Sequence, residues 1–261
     1  MRDRGAGRRT RPPTLGAALL VSISLALPPA ASAQRSTRVS VEVEVGPVWQ
    51  TRNDVQVPND ASGTRFSLLD LAGRGPWDAA RLYVSWNIDE RHGLRALAAP
   101  LSIRENGTLD EPIDFAGAGY AAGPATGTYT FDSYRLTYRY RFHHGEDWTW
   151  WVGFTAKIRD ASIELAQGST TSRKDDLGFV PLLHLASDWR LAPRWRLGLD
   201  ADALAGGPGR AEDVAVKASW DLHERLTLAA GYRTVEGGAD VDEVFTFAWL
   251  HYAVVSATLW F

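Results

Sequence analysis

The sequence predicts an all-β chain, a ten-stranded antiparallel up-and-down transmembrane β-barrel. Three observations carry the prediction. Apolar and polar residues alternate with period two in ten successive runs, and side chains at i and i+2 share a face only on a strand. The breaks between runs are alternately short and long, as expected of tight turns at one end of a barrel and loops at the other. The tryptophans, 11 in a chain of 261 residues, gather beside the short breaks.

Before the first run lies an export signal. Arg2, Arg4, Arg8, Arg9 and Arg11 form a basic head, Leu15 to Leu27 an apolar stretch, and Ala31-Ser32-Ala33 a small-residue cleavage site. Residues 1–33 are therefore expected to be removed, leaving 34–261 as the barrel. Cysteine is absent, which excludes disulfides and thiolate metal sites. Outside the leader no apolar run approaches the roughly 18 residues of a spanning helix. The net charge of −3 argues against general nucleic-acid binding.

Run one, Val39 to Trp49, sets Val41, Val43 and Val45 against Glu42 and Glu44. A long Asn/Asp/Gly/Pro-rich segment, Gln50 to Asp78, follows; within it Thr64 to Leu69 is a candidate extra hairpin. Run two, Ala80 to Ile88, sets Leu82, Val84, Trp86 and Ile88 against Arg81 and Tyr83. After a turn at Asp89 to Gly93, run three, Leu94 to Arg104, places Leu97, Ala99, Leu101 and Ile103 on one face. Glu105 to Gly127 is a second long loop. Runs four and five form a hairpin from Thr128 to about Leu165. Tyr134, Leu136, Tyr138, Tyr140 and Phe142 oppose Arg135, Arg139 and Arg141; beyond the turn Trp148, Trp150, Val152 and Phe154 oppose Thr155 and Lys157. The apolar face switches near Asp160 to Ile163, which predicts a bulge.

Gln167 to Asp176 is expected to be a polar loop. Run six, Leu177 to Trp189, sets Leu177, Phe179, Leu183 and Leu185 against His184 and Asp188, and a tight turn at Leu191 to Arg194 leads on. Run seven, Trp195 to Leu204, sets Leu197 and Leu199 against Asp200 and Asp202. A Gly-rich loop at Gly206 to Gly209 precedes run eight, Asp213 to Leu222, with Val214, Val216 and Trp220 against Lys217 and Asp221. Run nine, Arg225 to Val235, carries Arg233; Glu236 to Asp242 is another loop, and run ten spans Glu243 to Phe261. Five outer loops and four short turns result.

Alternation alone does not say which face points inward, and a water-soluble barrel would bury the apolar one. The tryptophans break the tie. Trp86, Trp148, Trp150, Trp189, Trp195 and Trp220 lie near the short turns and Trp260 near the chain end, as expected of a girdle at one membrane interface, the level indole prefers. Tyr129, Phe131, Phe179, Tyr232, Phe245 and Phe247 would form the opposite girdle.

The last run, FTFAWLHYAVVSATLWF, ends in Phe261 with Leu259, Ala257, Val255 and Ala253 at every second position behind it. It resembles the closing strand of bacterial outer-membrane barrels. WNIDERHGLRALAAPLSI, DLGFVPLLHL and LAGGPGRAEDV resemble blocks of an uncharacterised family of such proteins, which carries no activity to transfer. The resemblance implies an outer-membrane location, Phe261 as an assembly signal read by the barrel-assembly machinery, and contact with outer-membrane lipid and lipopolysaccharide. It names no ligand for the loops.

The polar face places Arg81, Arg135, Arg139, Arg141, Lys157, His184, Asp200, Asp202, Lys217, Asp221 and Arg233 in the lumen. In so narrow a barrel they are expected to pair as a structural network, since unpaired buried charge is costly. A largely plugged barrel with a structural or surface-binding role follows; a narrow path for small solutes or ions is the alternative. A barrel hydrolase is the third reading. Ten strands matches the omptin proteases in count, but Asp200-Ala201-Asp202 has no Asp-x-His partner. Neither His184 nor His251 has the serine two residues on that a lipid A deacylase would show. No nucleophile–base pair emerges, so no catalytic residue, cofactor or metal is assigned. Gly206-Gly207-Pro208-Gly209 precedes no helix, which removes the phosphate-loop reading.

Overall fold

The structure, a computed structural model, describes residues 38–207 and 209–261. The predicted leader, residues 1–33, lies outside them. The long strands are β1 (Val39–Gln56), β3 (Trp77–Asn87), β4 (His92–Ala99), β5 (Ser102–Leu109), β8 (Gly123–His144), β9 (Trp148–Gln167), β10 (Thr170–Ala192), β11 (Trp195–Gly206), β12 (Gly209–His223), β13 (Leu226–Val241) and β14 (Val244–Trp260). Pro100 has no N–H to donate and divides β4 from β5; both pair with β8, so they count as one stave. Each stave pairs antiparallel with its neighbours, and β14 pairs with β1 from Ser40↔Trp260 to Gln56↔Phe245. The ring of ten staves is closed.

The lower end, where β1 begins and β14 ends, carries four short turns. There the Phe261 N–H donates to the Val39 carbonyl at 2.9 Å. Among the described residues the upper end has two long connections, not five. The 57–76 connection holds β2 (Phe66–Ser67), which pairs with β1, and α1 (Leu68–Ala72). The 110–122 connection holds the small hairpin β6 (Ile113–Phe115) and β7 (Ala118–Tyr120). The segments expected as loops at Gln167 to Asp176 and Glu236 to Asp242 are strand instead, because β10 starts at Thr170 and β13 runs to Val241. Polar outward residues at those heights read as loop, but they are the wet face of a strand.

Stave heights differ. β10 has 23 residues and β11 only 12, roughly 75 Å against 40 Å of extended chain, where a tilted strand needs roughly 9–11 residues to cross lipid. The wall formed by β8, β9 and β10 therefore stands above the rest.

In the lower half the outward face is apolar: Leu136, Tyr138, Phe154, Val43 and Val216 are all exposed. In the upper half the interior is apolar. Phe115, Leu68, Leu71, Ile103, Leu165 and Leu250, with their neighbours, form one buried cluster that fills the barrel below the two long connections. The helix α1 lies on β5 and β8; a Cβ at Gly107 would stand 1.8 Å from the Leu71 carbonyl oxygen, and one at Gly127 2.9 Å from a Leu71 methyl.

This inversion corrects three sequence expectations. Pairing along β9 runs without a register shift past Asp160 to Ile163, so no bulge is there; the strand keeps its parity while its surroundings change. Leu97, Ala99, Leu101 and Ile103 look inward and are buried. Tyr129 and Phe131 also point inward, stacked 6.2 Å apart, on the face that carries Arg135.

Candidate functional site: a belt of charge across the lumen

Strand parity sends one residue in two to the axis, and midway up the barrel those residues are ionised. Asp202 on β11 and Asp213 on β12 stand directly opposite each other in register, a repulsive placement for two like charges. Arginines resolve it. Asp213 accepts from Arg81 at 2.9 Å, Arg135 at 2.7 Å and Arg233 at 2.5 Å. Arg135 also reaches Asp202 at 3.0 Å. Asp202 further takes the Thr155 hydroxyl and the His184 Nδ1, each at 2.8 Å.

Glu44 on β1 is the second acidic hub. Arg233 donates to its carboxylate at 2.9 and 3.1 Å and to the Tyr83 hydroxyl at 2.8 Å. Lys217 bridges Glu44 at 3.0 Å and Glu42 at 2.5 Å. Arg95 on β4 forks onto Asp200, and Arg81 stands 5.4 Å from the Tyr252 ring of β14. Every stave thus contributes to one cross-linked layer. Glu44, Asp213, Arg233 and Arg135 are all buried. Bidentate guanidinium–carboxylate contacts of this kind are the strong class of ion pair.

Of the lumen residues expected from sequence, Arg81, Arg135, His184, Asp200, Asp202, Lys217 and Arg233 meet in this belt. Arg139 and Arg141 lie lower, on a polar vestibule of about 670 Å³ that opens at the short-turn end; Arg139 sits 5.9 Å from the Trp151 ring. Asp221 is lower still, paired with Arg196 at 2.6 and 2.7 Å. Lys157 lies above the belt and makes no ion pair among the described residues; its nearest described partner is the Phe131 ring, 4.7 Å away. Four central members were not singled out from sequence: Glu44, Asp213, Arg95 and Tyr83. Asp213 shares its parity with Lys217 and Asp221, and Glu44 opposes Val43 and Val45, so both signals were present.

The outward tryptophans stack. Trp148 lies 5.9 Å from Trp150 and 5.0 Å from Trp189, and Trp195 lies 6.1 Å from Trp220. Trp86 is exposed beside them in height. Trp260 does not join the set. Leu259 and Phe261 take the outward parity, so Trp260 faces the lumen, lines the vestibule and donates its indole N–H to Thr227 at 3.1 Å.

His184, Asp200 and Asp202 bring three ligand-type atoms within 4.8 Å of one another, but Arg95 and Arg135 already occupy those carboxylates. His184 and Asp202 also make the histidine–acid contact that no local sequence motif shows. Both are buried, and the free His184 Nε2 has no hydrogen-bond partner among the described residues.

The fold has clear likenesses among solved structures. The outer membrane protease OmpT from Escherichia coli superposes with a TM-score of 0.51 at 10% identity, covering 86% of this chain and 97% of that one. The translocator domain of the autotransporter NalP from Neisseria meningitidis gives 0.41 at 12%, covering 87% and 90%. Neisserial surface protein A gives 0.37 at 11%, covering 85% and 97%. No protein-family model and no curated protein matches the chain. At such identities the likeness is one of fold, that of the bacterial outer-membrane β-barrel.

Proposed function

We propose that this chain is a sealed outer-membrane barrel, with a structural or surface-binding role exercised at its tall upper end and no through-path for solutes. The carrying observation is a double closure. The charged belt crosses the lumen at mid-height, and an apolar cluster packs above it under the two long connections. The vestibule below and the main cavity above share no lining residue. Opening the belt would strand several buried charges at once, so thermal motion does not part it cheaply.

In this reading the short turns and both termini face the periplasm, the stacked tryptophans sit at the inner interface, and Phe261 is presented to the assembly machinery. The upper rim meets lipopolysaccharide; Arg65 and Arg52, 3.6 and 5.1 Å from the Phe245 and Phe247 rings, are placed where headgroup phosphates would lie. The hydrolase reading is disfavoured by the burial of His184 and Asp202. Planar-bilayer recording tests the proposal: purified protein is expected to give no unit conductance above the lipid baseline. Reproducible ohmic steps from the unaltered protein would replace it with the narrow-channel reading.

A further inference from the structure

The wall of the barrel has a gap. β10 pairs with β11 only from Leu183↔Ala203 downward, while β11 goes on to Gly206 paired with β12 alone. Above that point, among the described residues, β10 has a partner on the β9 side alone. A free strand edge invites unwanted pairing. Here Lys174, Asp175 and Asp176 put charge along the free edge, and Pro181 removes a donor.

The gap leads into a cavity of about 430 Å³, within the range of small-molecule sites. Its outer lip is Phe179, Pro181 and Leu204; its inner wall includes Tyr129, Phe131, Ile163 and Val244. Leu177 and Phe179, beside the mouth, are 75% and 62% exposed, far out for side chains of their size. On the paired strand Ile158 is outward and apolar, while Asp160 and Glu164 are outward and polar. The mouth thus opens at the upper edge of the apolar band.

The lining is also charged, and unevenly. It holds Lys157, Arg159, Lys174 and Arg210 against Asp176 and Glu236. Asp176 is bound by Arg159 and Glu236 by Arg210. Lys157 and Lys174 therefore make no ion pair among the described residues, where Asp213 acts on Lys157 only at longer range, and Lys157 is 97% buried. A buried ammonium with no acid in contact is costly. An apolar slot that opens to lipid and ends on such a group is complementary to one kind of occupant.

We propose that this slot binds a single-chain alkyl carboxylate entering from the outer leaflet, its carboxylate on Lys157 and its chain leaving between Phe179 and Leu204. The site lies above the belt and depends on the sealed reading only for being blind on its lower side. A conducting barrel that still bound the acid would overturn that reading and leave this one standing.

The test uses the whole barrel in phosphatidylcholine nanodiscs, titrated with palmitate labelled with ¹³C at the carboxyl. A saturable second carboxyl resonance is expected. Lys157→Met should weaken binding at least tenfold, the scale of one lost charge-assisted bond, and Lys157→Arg should restore most of it. Leu204→Trp, which fills the lip at an exposed position, should also weaken it at least tenfold without touching the lysine. Hexadecyltrimethylammonium should not compete. Binding that is unchanged in both Lys157→Met and Leu204→Trp, or equal competition by the cationic chain, overturns the proposal. So does the absence of a bound resonance in protein that retains its heat-modifiable migration.

Discussion

Two stretches of a single strand differ more than most pairs of domains. On the lower part of β9, Lys157 and Thr155 look inward and are buried, while Ile158 and Phe154 look outward and are exposed. Five residues on, Ile163 and Leu165 look inward and are buried, while Glu164 takes the outward parity and stays partly exposed. The backbone does nothing new between them. What changes is the medium outside: hydrocarbon below, water above. Where the outside is apolar the interior must take the charges, and in a narrow barrel it must pair them; where the outside is water the interior closes as an ordinary core. On the proposed outer-membrane reading, the crossover along β9 is the upper edge of the hydrocarbon.

The largest way to break this contrast is to remove the charge hub. Asp213→Ala leaves Arg81, Arg135 and Arg233 facing one another, and stripping the partner from a buried ion pair costs about 3–5 kcal/mol. Three arginines share this acid, so the loss is expected at the top of that range. It is measured as the shift of the urea midpoint of the barrel refolded in lipid vesicles. A shift below about 1 kcal/mol, the worth of an exposed pair, would mean that water reaches the belt and that the lower interior is not closed.

The lower half was the legible half. Its signals were strict alternation and tryptophans by the turns, and both arise because lipid requires an unbroken apolar face. The upper half was misread for the same reason. The rule that the apolar face meets lipid sends Leu97 to Ile103 outward and requires a bulge near Asp160 to Ile163, and it ceases to hold at that height. The parity of Tyr129, Phe131 and Trp260 was readable from their neighbours, but side-chain chemistry was weighed above parity. The pairing of His184 with Asp202, or of Glu44 with Arg233, depends on which staves meet across a closed ring. No local pattern encodes that.

A matched pair of outward substitutions sharpens the boundary. Phe154→Lys puts a cation on the lipid face, where the cost is about 2–4 kcal/mol at mid-depth. Glu164→Lys makes the same outward change ten residues along β9, where it removes only a 3.8 Å contact with the half-exposed Arg173, and should stay within about 1 kcal/mol. Both are read as urea midpoints in the same vesicles. Equal costs would place both residues in one medium and remove the crossover.

The smallest effect lies outside the membrane altogether, at a lower turn. Asp89 accepts from the backbone N–H groups of Arg91 at 2.7 Å and His92 at 2.8 Å. Those bonds favour the ionised form and hold its carboxyl below the usual aspartate range. The folded state thus binds the proton less readily than the unfolded chain does. The stabilisation is fully present above the ordinary aspartate value and disappears as pH falls through the lowered one. Asp89→Ala should therefore cost a little at pH 7 and less in acid, so that the two urea curves converge as the pH is lowered. If the Asp89→Ala difference were independent of pH, the turn would owe nothing to the carboxylate charge.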